Sequence, residues 1–318
     1  MKIINLDQIK AVLPGIDLMH EIEAGFAAYS KGRAVVPPVG ELVLQDPPGE
    51  VHIKYGYITG DEYYVIKIAS GFYENPKLGL PSGNGLMLLF DQKTGVPCAA
   101  LLDEAFLTDI RTAVAGAIAA KYLAPSSVSS IGILGTGVQA RLQLQYLAPV
   151  TECREVVVWG RDQAKLDIYQ SEMSATGYSV TTTMNQEDVL RNCNLIVTTT
   201  PATTPVLHWL DDIKHGIHIT AVGSDTVDKQ ELDFATMNRA DRIVADSISQ
   251  CLLRGEIHQA LDHGVIERNE ITELGAVING DAPGRTSDDQ VTVADLTGVA
   301  VQDMQIAKAV FRSIIGDS

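Results

Sequence analysis

The sequence lacks three things that would have pointed elsewhere. No stretch runs for the roughly eighteen uncharged apolar residues that a membrane span requires. Cations are scarce: 24 Lys and Arg stand against 40 Asp and Glu, a formal charge of −16. Such a surface repels nucleic-acid phosphates and anionic lipid, which argues against nucleic acid and membrane as partners. The four cysteines, Cys98, Cys153, Cys193 and Cys251, form no C-x-x-C pair; isolated cysteines usually behave as small buried hydrophobes. His215 and His218 lie three apart at the head of an apolar run, where a strand would point them to opposite faces, so no metal site is expected. The opening residues lack the basic start, apolar core and small-residue cleavage site of a signal peptide, and the expected location is cytoplasmic.

What is present is the rhythm of an α/β protein. At 318 residues the chain exceeds what a single core usually supports, so two domains are expected. From Ser129 onward, short β-rich runs alternate with helical stretches: Ile131 to Leu134, Gln139 to Leu147, Val156 to Trp159, Ala164 to Thr176. Further apolar runs follow at Asn194 to Thr200, Gly216 to Val222 and Arg242 to Asp246. Near-continuous apolar runs in βαβ order imply a doubly wound parallel sheet of Rossmann type. Before Ala124 the pattern changes to strands at Leu42 to Leu44, His52 to Ile58, Tyr63 to Ile68, Gly85 to Asp91 and Pro97 to Leu102, separated by Gly, Asp and Pro, as antiparallel neighbours would be. A helix from Leu107 to Leu123 ends before Ala124, Pro125 and Ser126. A last helix from about Gly298 to Ile315 is expected to fold back onto the first domain, giving residues 1–125 with 292–318 as an α+β domain and 126–291 as the dinucleotide domain.

Gly135, Thr136, Gly137, Val138, Gln139 and Ala140 spell G-x-G-x-x-A between an apolar strand and a helix. The first glycine permits a tight turn, the second lets backbone approach a pyrophosphate, and the small third residue lets helix pack on strand. The helix N-terminus then offers unsatisfied N–H groups to the phosphates. The same three letters alone would be a weak match; here strand, loop, helix and second strand arrive in order. About twenty residues on, where an acidic residue would hold the NAD ribose, the chain reads Trp159, Gly160, Arg161, Asp162. Gly160 leaves room and Arg161 suits a 2′-phosphate, which favours NADP(H); Asp162, a little late, keeps NAD(H) open.

Together with that loop, three stretches make the chain resemble the ornithine cyclodeaminase and mu-crystallin family over nearly its whole length. They are Leu107 to Ala113, Ala221 to Asp233, and Val291 to Asp303. The resemblance implies a homodimer, an N-terminal substrate and dimerisation domain completed by the C-terminal helix, and a cleft holding an Arg, a Lys and an Asp, matched here by Arg111, Lys67 and Asp225. Chemistry supports each. An Arg fork grips an α-carboxylate, though a structural ion pair is the plain alternative. Lys67 ends an apolar strand and needs an anionic partner unless it simply reaches solvent. Asp225 follows an apolar strand at its C-terminal end, where a carboxylate can stabilise an iminium or merely cap a helix. Ser82, Thr112, Thr200 and Gly223 are expected to line the same cleft, although such residues are as often plain turns.

The sequence departs from the family where many members carry Pro-x-Arg: Pro37 to Glu41 contains no arginine. Where a cyclodeaminase would place an acid for the distal ammonium of ornithine, the chain has Lys54, with Glu50 nearby. A lysine there repels an ammonium and suits a second carboxylate. The expected activity is therefore NAD(P)H-dependent reduction of a small 2-imino acid, cyclic as 1-pyrroline-2-carboxylate or open-chain and dicarboxylic, reversible as an amino-acid dehydrogenase. Ornithine cyclodeamination, and non-catalytic NADP(H)-dependent binding of the mu-crystallin kind, are the alternatives.

Overall fold

The computed structural model describes residues 1–213 and 216–316; His215 lies outside them. Two compact units divide the chain, Met1–Arg111 with the segment from Val299, and Thr112–Gly298.

The first unit is built on a seven-stranded sheet. Its strands are β1 (Lys2–Asn5), β2 (Ala34–Val35), β3 (Gly40–Gln45), β4 (Pro48–Ile58), β5 (Tyr63–Gly71), β6 (Gly83–Asp91) and β7 (Pro97–Leu102). The order is β1-β7-β6-β5-β4-β2, with β3 on β4. The central pairs are antiparallel, as the sequence suggests, while β1 joins β7 in parallel. Strand alternation decides which residues go inside: Lys54, Gly56 and Ile58 of β4 are buried, Tyr55 and Tyr57 exposed. Register puts Lys54 opposite Lys67, and Lys67 opposite Met87. The closing helix Ala300–Ile315 packs on β4 and β5 and on the helix Leu18–Ser30. These two helices approach closely because Gly25 has no side chain; a Cβ there would meet Gln305 Cγ at 2.8 Å.

The second unit is an eight-stranded sheet of β8 (Ile131–Leu134), β9 (Glu155–Trp159), β10 (Ser179–Thr183), β11 (Leu195–Thr198), β12 (Ile217–Ala221), β13 (Arg242–Ala245), β14 (Ile271–Glu273) and β15 (Val291–Asp295). All pairs are parallel in the order β10-β9-β8-β11-β12-β15-β13-β14. Strands β8, β11, β12 and β15 are buried along their whole length, as a sheet covered on both faces requires. His218 lies within β12, fully buried between the hydroxyls of Thr292 and Thr220, each at 2.9 Å. Burial, with help from Arg285, pushes its pKa down to about 3, so it is a neutral core histidine.

The division between units differs from the expected limits at both ends. It falls at Arg111, inside the helix Phe106–Leu123, and after Gly298. Strand β15 belongs to the parallel sheet because it hydrogen-bonds between β12 and β13; only the closing helix returns to the first unit. Among the described residues, no helix is long and apolar enough to cross a membrane.

Candidate functional site

In the second unit, Gly135 takes a φ of +124°, and a Cβ on it would meet Thr199 Oγ1 at 2.5 Å. Only glycine suits both demands. Gly137 is the N-cap of the helix Val138–Tyr146, offers no side-chain cap, and has open space around its Cα; Ala140 is fully buried where helix meets sheet. The Arg141 guanidinium donates to the carbonyls of Thr136 and Gly137 and lies over the Tyr169 ring. It thereby turns the loop's carbonyls toward the protein and leaves the helix start to an anion. Gln139 accepts from Gln143 at 3.3 Å, and Val138 is exposed.

The loop borders a cavity whose other walls include Arg161, Asp162, Lys165 and Thr199 to Pro201. Gly160 does not provide spare room: a Cβ there would meet Thr136 Cγ2 at 2.9 Å and Leu166 Cδ2 at 3.2 Å. Its smallness lets β9 sit tight against the loop. Asp162 is the N-cap of the helix Gln163–Ser174, with Oδ1 accepting from Ala164 N at 3.0 Å and Lys165 N at 3.4 Å. That carboxylate is already half committed, while Arg161 and Lys165 both edge the cavity. Glycines at each close approach, an uncapped helix start and two cations at the ribose end together fit a dinucleotide.

Behind the cavity, one buried carboxylate gathers two strand ends. Glu231 Oε1 accepts from the Thr200 N–H at 2.5 Å and its hydroxyl at 2.8 Å, and Oε2 accepts from the Thr198 hydroxyl at 2.7 Å and the Gly223 N–H at 2.8 Å. Gly223 must be glycine, since a Cβ would lie 2.1 Å from Thr200 O. Beyond it, Asp225 is half exposed and pairs with Lys229 at 2.6 Å; the Arg254 guanidinium donates to its carbonyl at 3.4 Å. It stands in a loop and caps none of the described helices. Thr112 accepts through its carbonyl from Gln143 at 3.1 Å.

In the first unit, Lys67 sits within β5, only 2 % exposed, which corrects the picture of a strand-end lysine free to reach solvent. Strand alternation turns it to the sheet's helix-covered face. There the Asp303 Oδ1 lies 3.1 Å from Lys67 Nζ and 3.0 Å from Arg111 Nε. The Arg111 guanidinium also donates to Gln302 Oε1 at 2.9 Å. Lys54 is buried on the adjacent strand. Burial pulls the Lys67 pKa down to about 7 against the pull of Asp303, with Arg111 and Lys54 adding to the fall. Burial raises Asp303 too, yet Lys67, Arg111 and Lys54 more than offset it and hold the carboxyl below its ordinary range. A further carboxyl, Asp103, caps the Leu107 N–H at 2.9 Å and is pushed up by burial to about 6.

The structure thus brings Lys54, Lys67 and Arg111 into one buried cluster, and gathers Gly135, Thr136, Gly137, Arg161 and Thr200 around one cavity, with Val138, Gln139 and Ala140 outside its lining. It does not bring Ser82 to the cluster: Ser82 is exposed in the loop before β6 and accepts through its carbonyl from the Phe72 N–H. Glu50 is also elsewhere, accepting from the Tyr73 hydroxyl at 2.7 Å and lying 3.6 Å from His52. Sequence reading missed Asp303, Asp103, Glu231 and Lys165. A buried lysine demanded an anion, but nothing local could say that a protein carboxylate 236 residues away supplies it. Lys165 was within reach, one helical turn beyond Arg161.

The family described as ornithine cyclodeaminase/mu-crystallin matches residues 5–318. An uncharacterised cyclodeaminase of Sinorhizobium fredii is 42% identical, over 98% of this chain and 95% of its own. Among solved structures, an archaeal alanine dehydrogenase dimer with bound NAD is 33% identical at a TM-score of 0.90, covering 99% of this chain and 96% of its own. The Δ1-pyrroline-2-carboxylate reductase of Thermococcus litoralis, in complex with NADH and L-proline, is 28% identical at 0.91, covering 99% and 98%. The iminosuccinate reductase of Paracoccus denitrificans, in complex with NAD+, is 31% identical at 0.89, covering 99% and 97%. On sequence, fold and the placement of its glycine loop, the chain belongs to the ornithine cyclodeaminase/mu-crystallin family.

Proposed function

We propose that the protein is a nicotinamide-dependent oxidoreductase that reduces a small 2-imino acid to the amino acid, and runs in reverse as an amino-acid dehydrogenase. The observation that carries this reading is the buried cluster of Lys54, Lys67 and Arg111 around Asp303. Lys67 and Arg111 converge on one carboxylate oxygen with Lys54 on the adjacent strand, a cationic setting that suits an α-carboxylate.

In this reading Arg111 and Lys67 hold that carboxylate. A nicotinamide cofactor, when bound, would supply or accept the hydride. Gly135 to Ala140 would hold the pyrophosphate through backbone N–H groups, with Thr200 on another wall of the same cavity and Thr112 and Gly223 as further proposed cofactor contacts. Asp225 stabilises the protonated nitrogen and takes or returns its proton, with Lys229 as its resting partner. Arg161 and Lys165 favour NADP(H), with NAD(H) also accepted. Lys54 extends the cationic row and suits a second carboxylate, so a dicarboxylic imine is favoured over a substrate with a distal ammonium. That the Paracoccus relative is an iminosuccinate reductase, and the Thermococcus one a pyrroline-2-carboxylate reductase, supports an imino acid over other carbonyl compounds.

Cyclodeamination is the second reading, favoured by the name of the Sinorhizobium relative and opposed by Lys54. The test is oxidation of NADPH and NADH against imino acids beside ornithine-to-proline conversion, with Asp225→Asn and Lys67→Ala as controls. Both variants should bind cofactor and lose turnover; wild-type turnover in both would refute the assignment. We further propose a homodimer. Tyr55, Ile66, Leu88, Ala100 and Ile3 form one row across five strands on the face turned away from Lys67. Ile3, Tyr55, Tyr57 and Leu102 on that face are exposed, and the archaeal alanine dehydrogenase is a dimer.

A further inference from the structure

We propose that Asp303, on the closing helix, is a positioning residue for the substrate: one of its oxygens holds Lys67 and Arg111 together as a single carboxylate grip, with Gln302 steadying the guanidinium. The inference rests on the reading of Lys67 and Arg111 as that grip.

Three observations carry it. Both cations converge on the same atom, Asp303 Oδ1, at 3.1 and 3.0 Å, so their spacing is set by one point rather than by two independent pairs. The neighbouring residue of the same helix, Gln302, accepts from the guanidinium at 2.9 Å, which fixes its plane. Asp303 Oδ2 has no hydrogen-bond partner among the described residues although the side chain is 1 % exposed. A carboxylate placed only for stability would be expected to satisfy both oxygens, since an idle buried lone pair is costly. Here one oxygen is the ion-pair partner of both cations, of Lys67 through a hydrogen bond and of Arg111 through charge alone, and the other has no donor among the described residues.

Protonation follows from the same contact. The charged groups acting on Lys67 are Asp303 from the closing helix, Arg111 from the helix Phe106–Leu123 and Lys54 from β4; Asp103, after β7, is in turn acted on by Lys67. Of these, Asp303 is the largest influence keeping the ammonium charged, opposing burial and two cations. Removing its charge must lower the Lys67 pKa further below about 7. Only the charged ammonium grips a carboxylate, so affinity for substrate is present below the Lys67 pKa and is lost as pH rises through it.

The experiment measures the Lys67 pKa directly, by NMR titration of protein carrying 13Cε-labelled lysine, with Lys67→Arg to assign the resonance. In Asp303→Asn the pKa should fall by about one unit or more. In Asp303→Glu, which keeps the charge, it should stay near the wild-type value. In parallel, KM for 1-pyrroline-2-carboxylate at pH 7.5 should rise about tenfold or more in Asp303→Asn, with the cofactor KM unchanged. An unmoved Lys67 pKa in Asp303→Asn, or a cofactor KM that rises with it, overturns the proposal. If Asp303→Asn does not fold, Asp303→Glu decides: a preserved pKa with weakened substrate affinity supports positioning, and unchanged affinity refutes it. Failure of the underlying reading shows separately, as Arg111→Ala and Lys67→Ala that leave substrate KM untouched.

Discussion

Lys54 and Lys67 face each other directly across β4 and β5, an arrangement of like charges that destabilises a sheet unless anions intervene. Asp303 is one such anion, and the substrate carboxylates are proposed as the others. If Lys54 holds a second carboxylate through a charge-assisted hydrogen bond, its loss should cost about 1.5 kcal/mol or more, roughly tenfold. Lys54→Ala should therefore raise KM for iminosuccinate about tenfold and leave that for 1-pyrroline-2-carboxylate within about twofold, read from steady-state kinetics. Equal effects on both would show that Lys54 does not select. At this scale the sequence was legible where a residue's type conflicts with its surroundings. Lys67 in Tyr-Tyr-Val-Ile-Lys-Ile-Ala demanded an anion. The identity of that anion was not legible, because Asp303 meets Lys67 only through tertiary packing.

Elements were legible in proportion to their periodicity and their local chemistry. The strand Ile131–Leu134, the loop and the helix Val138–Tyr146 appear as read, because apolar run, glycines and helix start are all local. Strand β10 escaped because Ser-Val-Thr-Thr-Thr has little apolar content, and β14 because three residues carry no pattern. Strand β1 pairs in parallel with β7, nearly a hundred residues later, which no local reading foresees. The turn after β9 is where element and function meet. Asp162 spends Oδ1 on the helix N-cap, while Arg161 and Lys165 edge the cavity. Arg161→Ala should raise KM for NADPH about tenfold, as expected for one charge-assisted bond to a phosphate, and change that for NADH little. An equal change for both cofactors would remove Arg161 from the 2′-phosphate.

At the scale of the whole molecule, the two halves differ in rhythm in the sequence, but the unit limits were not legible there: the division falls inside the helix Phe106–Leu123, and β15 stays with the parallel sheet it completes. The sheet face carrying the exposed apolar side chains of Ile3, Tyr55, Tyr57 and Leu102 is one that monomers rarely leave open. By sedimentation equilibrium the proposed homodimer should fall to a folded monomer in Leu88→Glu; a variant that stays dimeric would place the contact elsewhere, and a monomeric wild type would refute the dimer. The strongly acidic chain concentrates three of its few cations in one buried cluster, which we propose serves to bind an imino acid. The most direct measurement is absorbance at the nicotinamide band, following NADPH and NADH with 1-pyrroline-2-carboxylate, iminosuccinate, and 2-oxo acids with ammonia, beside ornithine with NAD. Cofactor oxidation with an imine is expected, abolished in Asp225→Asn. Proline formed from ornithine without net cofactor change, and no oxidation with any imine, would contradict it.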